Sequence, residues 1–140
     1  MMRKQLVVVC LVLVACLFSV ASFAGDAETE AVKAAKSWLA LVDAGDYEES
    51  WTQTADLFRK AVTKEKWEQA LNATRVPLGD LVSREVKSAQ FFTSLPGAPD
   101  GEYVVIQFTT SYANKKDAVE TITPMKDPDG VWRVSGYFVK

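Results

Sequence analysis

At Gly79 the chain changes its period, and that change limits the folds open to it. Before Gly79 the apolar residues recur at helical spacing; after it they alternate or run in extended stretches bounded by turn residues. Ala31, Ala35, Trp38, Leu39 and Val42 fall on one stripe of a helix over 27–44, and Gly45 supplies the left-handed stop that helices favour. Asp46 then reads as an N-cap with Glu49 as its capping-box partner. It opens a second helix with Tyr47, Trp51, Ala55 and Phe58 on one face. Thr63 caps a third, aligning Trp67, Ala70, Leu71 and Thr74, and Pro77 ends it.

Beyond Gly79, four extended segments are expected over 81–93, 103–113, 118–126 and 131–139. The first alternates imperfectly, which predicts a bulge. In the second, Val104, Ile106, Phe108 and Tyr112 point one way and Val105, Gln107, Thr109 and Ser111 the other. The loop over 94–101 holds two prolines, 114–117 reads as a turn, and Asp127-Pro128-Asp129-Gly130 fits a type I turn. Short connections force an antiparallel meander, since parallel neighbours need long crossovers. The expected class is α+β: three N-terminal helices packed on a curved four-stranded antiparallel sheet.

The first 24 residues stand apart. Arg3 and Lys4 precede an apolar run over 6–20, and Ser22-Phe23-Ala24 offers the small residues a signal peptidase reads. Residues 1–24 read as a secretory signal peptide, with residues 25–140 as one domain exported to a bacterial periplasm or medium. A permanent span needs about twenty apolar residues, more than this run supplies, so no membrane span is expected after cleavage. Leu13-Val14-Ala15-Cys16 resembles a lipobox and keeps open a competing outcome, a lipid anchor at Cys16.

Both cysteines, Cys10 and Cys16, lie in this leader, and the whole chain has no histidine. Ser–His and Cys–His nucleophiles are therefore excluded from the exported part, and the only side-chain anions left for a metal are carboxylates. No metal site and no cofactor is expected. Asp127 and Asp129 flank a glycine but lack the spacing of a calcium loop. The formal net charge is −2 with mixed signs, and nucleic acid wants a clustered basic face instead. Asp43, Asp46, Glu48 and Glu49 read as caps and a solvated corner. Trp38, Trp51, Trp67 and Trp132 read as core.

Several strings extend over nearly all of the exported part. They are Trp38-Leu39 with Asp43, Gly45, Tyr47 and Ser50-Trp51; Arg75-x-Pro77-Leu78-Gly79; Ser83-Arg84; Pro96-Gly97-x-Pro99-Asp100-Gly101-Glu102-Tyr103; Glu120-Thr121 with Thr123-Pro124; and Asp129-Gly130-x-Trp132-Arg133-Val134-Ser135-Gly136-Tyr137. Together they resemble a secreted bacterial family known as domain of unknown function 4019. More loosely, helices followed by a sheet ending in D-G-x-W-R-V is similar to the nuclear-transport-factor-2-like fold. That fold hosts enzymes, carriers and interaction modules, so the resemblance implies domain identity and export without choosing an activity.

The carboxylate that stands out is Glu120, mid-strand between Val119 and Ile122, where a charge is costly unless paired. Arg84 and Arg133 are central in strands, and either could pair with it. Tyr112 and Tyr137 complete the candidate ligand-binding set, with Tyr112 expected at a rim with its hydroxyl accessible. No residue is assigned a catalytic role. The leading expectation is a non-enzymatic module binding a small apolar ligand or a protein partner, with no nucleic acid and with homodimer formation left open. The alternative is a small acid–base enzyme using a buried carboxylate and a tyrosine.

Overall fold

The computed structural model describes residues 19–140; the leader up to residue 18, with Cys10 and Cys16, lies outside the described residues. Four α-helices come first: α1 (Ser19–Asp43), α2 (Tyr47–Thr52), α3 (Asp56–Ala61) and α4 (Lys64–Arg75), with a 3-10 turn over Val76–Leu78. Four strands follow: β1 (Leu81–Phe92), β2 (Tyr103–Tyr112), β3 (Lys115–Lys126) and β4 (Trp132–Val139), paired antiparallel in the order β1-β2-β3-β4. The α+β class and the meander are as the sequence pattern implies. No described helix is long and apolar enough to cross a membrane.

The helix ends follow local chemistry. Gly45, at φ +81°, takes the left-handed position after α1, and the N–H groups of Gly45 and Asp46 return to the carbonyls of Val42 and Leu41. That pair of bonds closes the helix in a Schellman motif. Thr63 Oγ1 accepts from the N–H of Lys66 at 3.3 Å, the expected cap of α4. The capping box at Asp46 does not form, because its side chain accepts no capping bond.

The expected second helix is a correction: it is two helices. Thr54 Oγ1 donates to the carbonyl of Trp51 at 2.6 Å, and Ala55 turns extended so that its N–H reaches the carbonyl of Val134 at 2.8 Å. A side chain competing for the helix carbonyls and a bond to β4 outweigh continued helix.

The sheet buries one face. Val104, Ile106, Phe108 and Ile122 are fully buried and meet Ala31, Ala35, Trp38, Leu39 and Val42 of α1 and Trp67 and Leu71 of α4. Each large side chain so buried stabilises the fold by roughly 1.5–3 kcal/mol. Glu28, within α1, accepts from the N–H of Phe91 at 3.2 Å, and Asp43 at its end touches Arg84. From Glu28 to Asp43 the helix therefore runs antiparallel to β1.

Register shifts decide which residues face inward. Shifts in β1 at Leu81/Ser83 and Val86/Ser88 bear out the expected irregularity. In β4 the partners run Ile122 to Tyr137 and then Pro124 to Val134, so β4 carries an extra residue. The bulge reverses the alternation: Trp132 and Val134 face the core, then Tyr137 does, and Phe138 turns outward with 53% exposure. Plain alternation would put Phe138 on the inner face with Trp132 and Val134, and the bulge is why it does not lie there. The expected turn over 114–117 is also shorter, since Tyr112 pairs with Lys115.

Candidate functional site

Arg84, Thr110, Glu120 and Tyr137 form a row across all four strands. Arg84 on β1 lies opposite Thr110 on β2, and Glu120 on β3 sits two residues beyond the partner of Thr110. Tyr137, turned inward by the β4 bulge, lies one diagonal step from Glu120. Glu120 is completely buried. Its Oε1 accepts from Arg84 Nε at 2.7 Å and from Thr110 Oγ1 at 2.6 Å. Its Oε2 accepts from Tyr137 Oη at 2.7 Å and from Arg84 Nη2 at 3.3 Å. Burial pushes the carboxyl towards the neutral form, but the bonds from Arg84, Thr110 and Tyr137 outweigh it and hold Glu120 below the ordinary carboxylate value.

The helices close the row from above. Asp43, the last residue of α1, accepts from Arg84 Nη1 at 2.7 Å and Nη2 at 3.0 Å, and from Arg75 Nη2 at 2.7 Å. Arg84 thus presents one edge to Glu120 and the other to Asp43, the bidentate geometry a guanidinium favours. Burial opposes the charge of Asp43 as well, and Arg84 and Arg75 reverse it, so its pKa also falls. Arg75, at the end of α4, has its guanidinium 4.9 Å from the centre of the Tyr112 ring and reaches Tyr137 Oη at 3.5 Å. Arg75 Nε and Tyr112 Oη are buried with no hydrogen-bond partner among the described residues. Two arginines and two carboxylates leave the cluster neutral.

Both tyrosines are held as phenols. Burial, with the Glu120 charge nearby, pushes Tyr112 up to about 12 and raises Tyr137 further. The Tyr137 ring packs edge-on against Trp38 at 5.3 Å and Trp67 at 6.3 Å. Those indoles are anchored on Ser50, whose carbonyl accepts from Trp38 Nε1 at 2.8 Å and whose hydroxyl accepts from Trp67 Nε1 at 3.0 Å.

Of the residues singled out from sequence, Glu120, Arg84, Tyr137 and Tyr112 converge here, and Arg133 does not. Arg133 is on the opposite face of β4 and binds Asp127 at 3.0 Å and Asp129 at 2.8 Å. It therefore has no bond to Glu120, because alternation places it outward beside inward Trp132. Tyr112 is a second correction: it is 1% exposed and not at a rim, since α4 brings Arg75 over its ring. Sequence reasoning left out Asp43, Arg75 and Thr110. Asp43 and Arg75 had a signal, for both lie in the strings carrying the family resemblance; Thr110 shares the inward parity of Phe108 and Tyr112.

Two concavities open elsewhere on the surface. One of about 480 Å³ is lined by Asp46, Tyr47, Glu48, Glu49, Glu68 and Asn72 among others, and one of about 390 Å³ by Asp56, Arg59, Asp127, Asp129 and Arg133 among others. Neither is lined by Glu120, Arg84, Tyr112 or Tyr137. Among the described residues no group of three or more His, Cys, Asp or Glu is placed to hold a metal ion.

Comparison with curated proteins and with solved structures returns no match. The family model described as "Protein of unknown function (DUF4019)" matches residues 34–137, a span holding every member of the cluster from Asp43 to Tyr137. The chain belongs to that family.

Proposed function

We propose that this chain is an exported, non-enzymatic interaction module that recognises a protein partner. The observation that carries the reading is the state of the Glu120–Tyr137 pair. A general base must be free to take a proton near its working pH, whereas Glu120 is fully buried, accepts from three side chains and is held below the ordinary carboxylate range. Tyr137 is pushed the other way, so neither group is poised to exchange a proton near neutrality. A small apolar ligand is the weaker form of binding, because Trp38, Trp67, Phe108 and Tyr137 pack on one another where such a ligand would sit. Export rests on the three-part leader, and a mature N-terminus at Gly25 is its signature.

Native mass spectrometry of the protein secreted from its full-length precursor tests the reading. The expected mass is that of residues 25–140 with nothing small retained, and tryptophan fluorescence should show no saturable response to apolar probes. A retained apolar molecule, or turnover of a carbonyl compound abolished by Glu120→Gln, overturns it. The acid–base alternative has one observation in its favour, the 2.7 Å bond between Tyr137 and Glu120.

A further inference from the structure

Asp43 is an uneasy residue at its position. It is the last residue of α1, where the helix dipole disfavours negative charge. Its carboxylate is held there by two guanidiniums, those of Arg75 and Arg84. Of the three side chains, Asp43 is the one that meets solvent, at 20% exposure against 11% for Arg84 and 5% for Arg75. Arg84 is fully engaged, with both edges on carboxylates. Arg75 is not: it makes one short bond, to Asp43 Oδ1, and its buried Nε has no partner among the described residues. A guanidinium with five donors, nine-tenths buried and bonded strongly through one of them, has capacity for a further acceptor.

We propose that Arg75 and Arg84 form a recognition site for a carboxylate supplied from outside the chain, with Asp43 occupying it as an internal stand-in. On exchange the two arginines still face two carboxylates while the Asp43 charge moves out into solvent, so no guanidinium is left buried and unpaired. Asp43 leaves by rotating its side chain towards the solvent it already touches; the helix and its Gly45 stop need not move. The incoming carboxylate takes the Arg84 Nη1–Nη2 edge and Arg75 Nη2, the planar forked geometry in which arginine binds carboxylate. Glu120, fully buried beneath, stays and fixes the other edge of Arg84. The proposal deepens the module reading, on which it rests, by naming the chemistry the partner presents.

The experiment uses acetate and N-acetyl-aspartate amide as probes, each against chloride at matched ionic strength. In the wild type, both should shift the backbone amide resonances of Ala44, Gly45 and Asp46 and the Arg75 Nε–H resonance saturably. In Asp43→Ala, which removes the stand-in, binding should tighten by about tenfold or more, the loss of an intramolecular competitor. Arg75→Lys in that background should abolish it. Binding of both probes points to an acidic side chain of a protein partner, and binding of acetate alone to a free small acid; either supports the site. No saturable shift in the wild type overturns the proposal, even if Asp43→Ala binds, since the stand-in is then a permanent structural residue. Binding that survives Arg75→Lys overturns it too. If Asp43→Ala does not fold, the wild-type spectra decide alone. Failure here leaves the module reading standing, whereas a retained apolar molecule removes that reading and leaves these titrations unchanged.

Discussion

Tyr137 reaches Glu120 because β4 carries one residue more than β3 opposes between Pro124 and Ile122. Without the bulge the alternation set by Trp132 and Val134 would aim Tyr137 at solvent and Phe138 at the core. The Ser135–Gly136 pair sits at the shift, and Ser135 Oγ donates to the carbonyl of Thr123 at 2.7 Å, pinning the irregular step. Filling the position opposite Thr123 with an ordinary strand residue does not restore the pattern. Deleting Ser135 or Gly136 would, and it would leave Tyr137 inward by plain alternation, whereas closing the bulge with every residue kept would bring the Phe138 ring over the buried charge instead.

Glu120→Gln should lower stability by about 3 kcal/mol, the range for removing one partner of a buried ion pair. Arg84 keeps Asp43 but loses the charge on its other edge. The expected result is a lower urea midpoint with an unchanged slope; an unaltered midpoint would show that the carboxylate contributes nothing to the fold.

The two tyrosines should respond oppositely to the same chemical change. Tyr137→Phe removes a 2.7 Å bond to a carboxylate and should cost roughly 1.5–3 kcal/mol. Tyr112→Phe removes a buried hydroxyl without a partner among the described residues and should stay within about 0.5 kcal/mol of the parent or rise above it. Thermal melts of both, run side by side, check the ranking.

Acid should unfold the protein through Asp43 and Glu120. Both have folded values below their unfolded ones, so their contribution is complete above the unfolded value of about 4 and is lost as pH falls through the folded values. Tm should hold level from neutrality to about pH 5 and fall below about pH 4, with a flatter acid limb in Glu120→Gln. At the alkaline end Tyr112, raised to about 12, contributes fully below the unfolded tyrosine value of about 10 and loses that contribution as pH rises through its folded value. Tyrosinate absorbance at 295 nm, titrated upwards, should show this group ionising above the ordinary tyrosine value of about 10.

Gly79→Ala should destabilise by more than about 1 kcal/mol. Gly79 lies at φ +77°, and a Cβ there would stand 3.0 Å from Asn114 Nδ2, which itself donates to the carbonyl of Pro77 at 3.1 Å. Gly45→Ala shares the backbone penalty without the contact, since nothing lies near its Cβ, and should be the milder of the two in urea titrations.

What could be read from the chain divides by range. The Gly45 stop, the Thr63 cap and the alternation of β2 are written in neighbouring residues, and the structure follows them. The break between α2 and α3 depends on Val134, nearly eighty positions away, so local periodicity ran through it. The inward turn of Tyr137 was half legible: a glycine inside a strand marks a bulge, but the phase change it causes was not carried to Tyr137 and Phe138. Glu120 was conspicuous because a mid-strand charge is costly, and Arg84 was one of its two named partners. Arg133 was the other, and its own flanking acids, Asp127 and Asp129, hold it instead. Asp43 looked like an ordinary residue at a helix end, since the reason for its placement is a pair of arginines 32 and 41 positions on.

The neutral cluster draws its charges from α1, α4, β1 and β3, and its hydroxyls from β2 and β4. Its balance is therefore indivisible. A fragment ending before β3, or beginning after α1, keeps a buried guanidinium without one of its carboxylates, a state costing several kcal/mol. Such a chain has no smaller autonomous version. Splitting it between two polypeptides should give halves that are unstructured apart and ordered together, and circular permutation should succeed only where new ends leave all six elements joined.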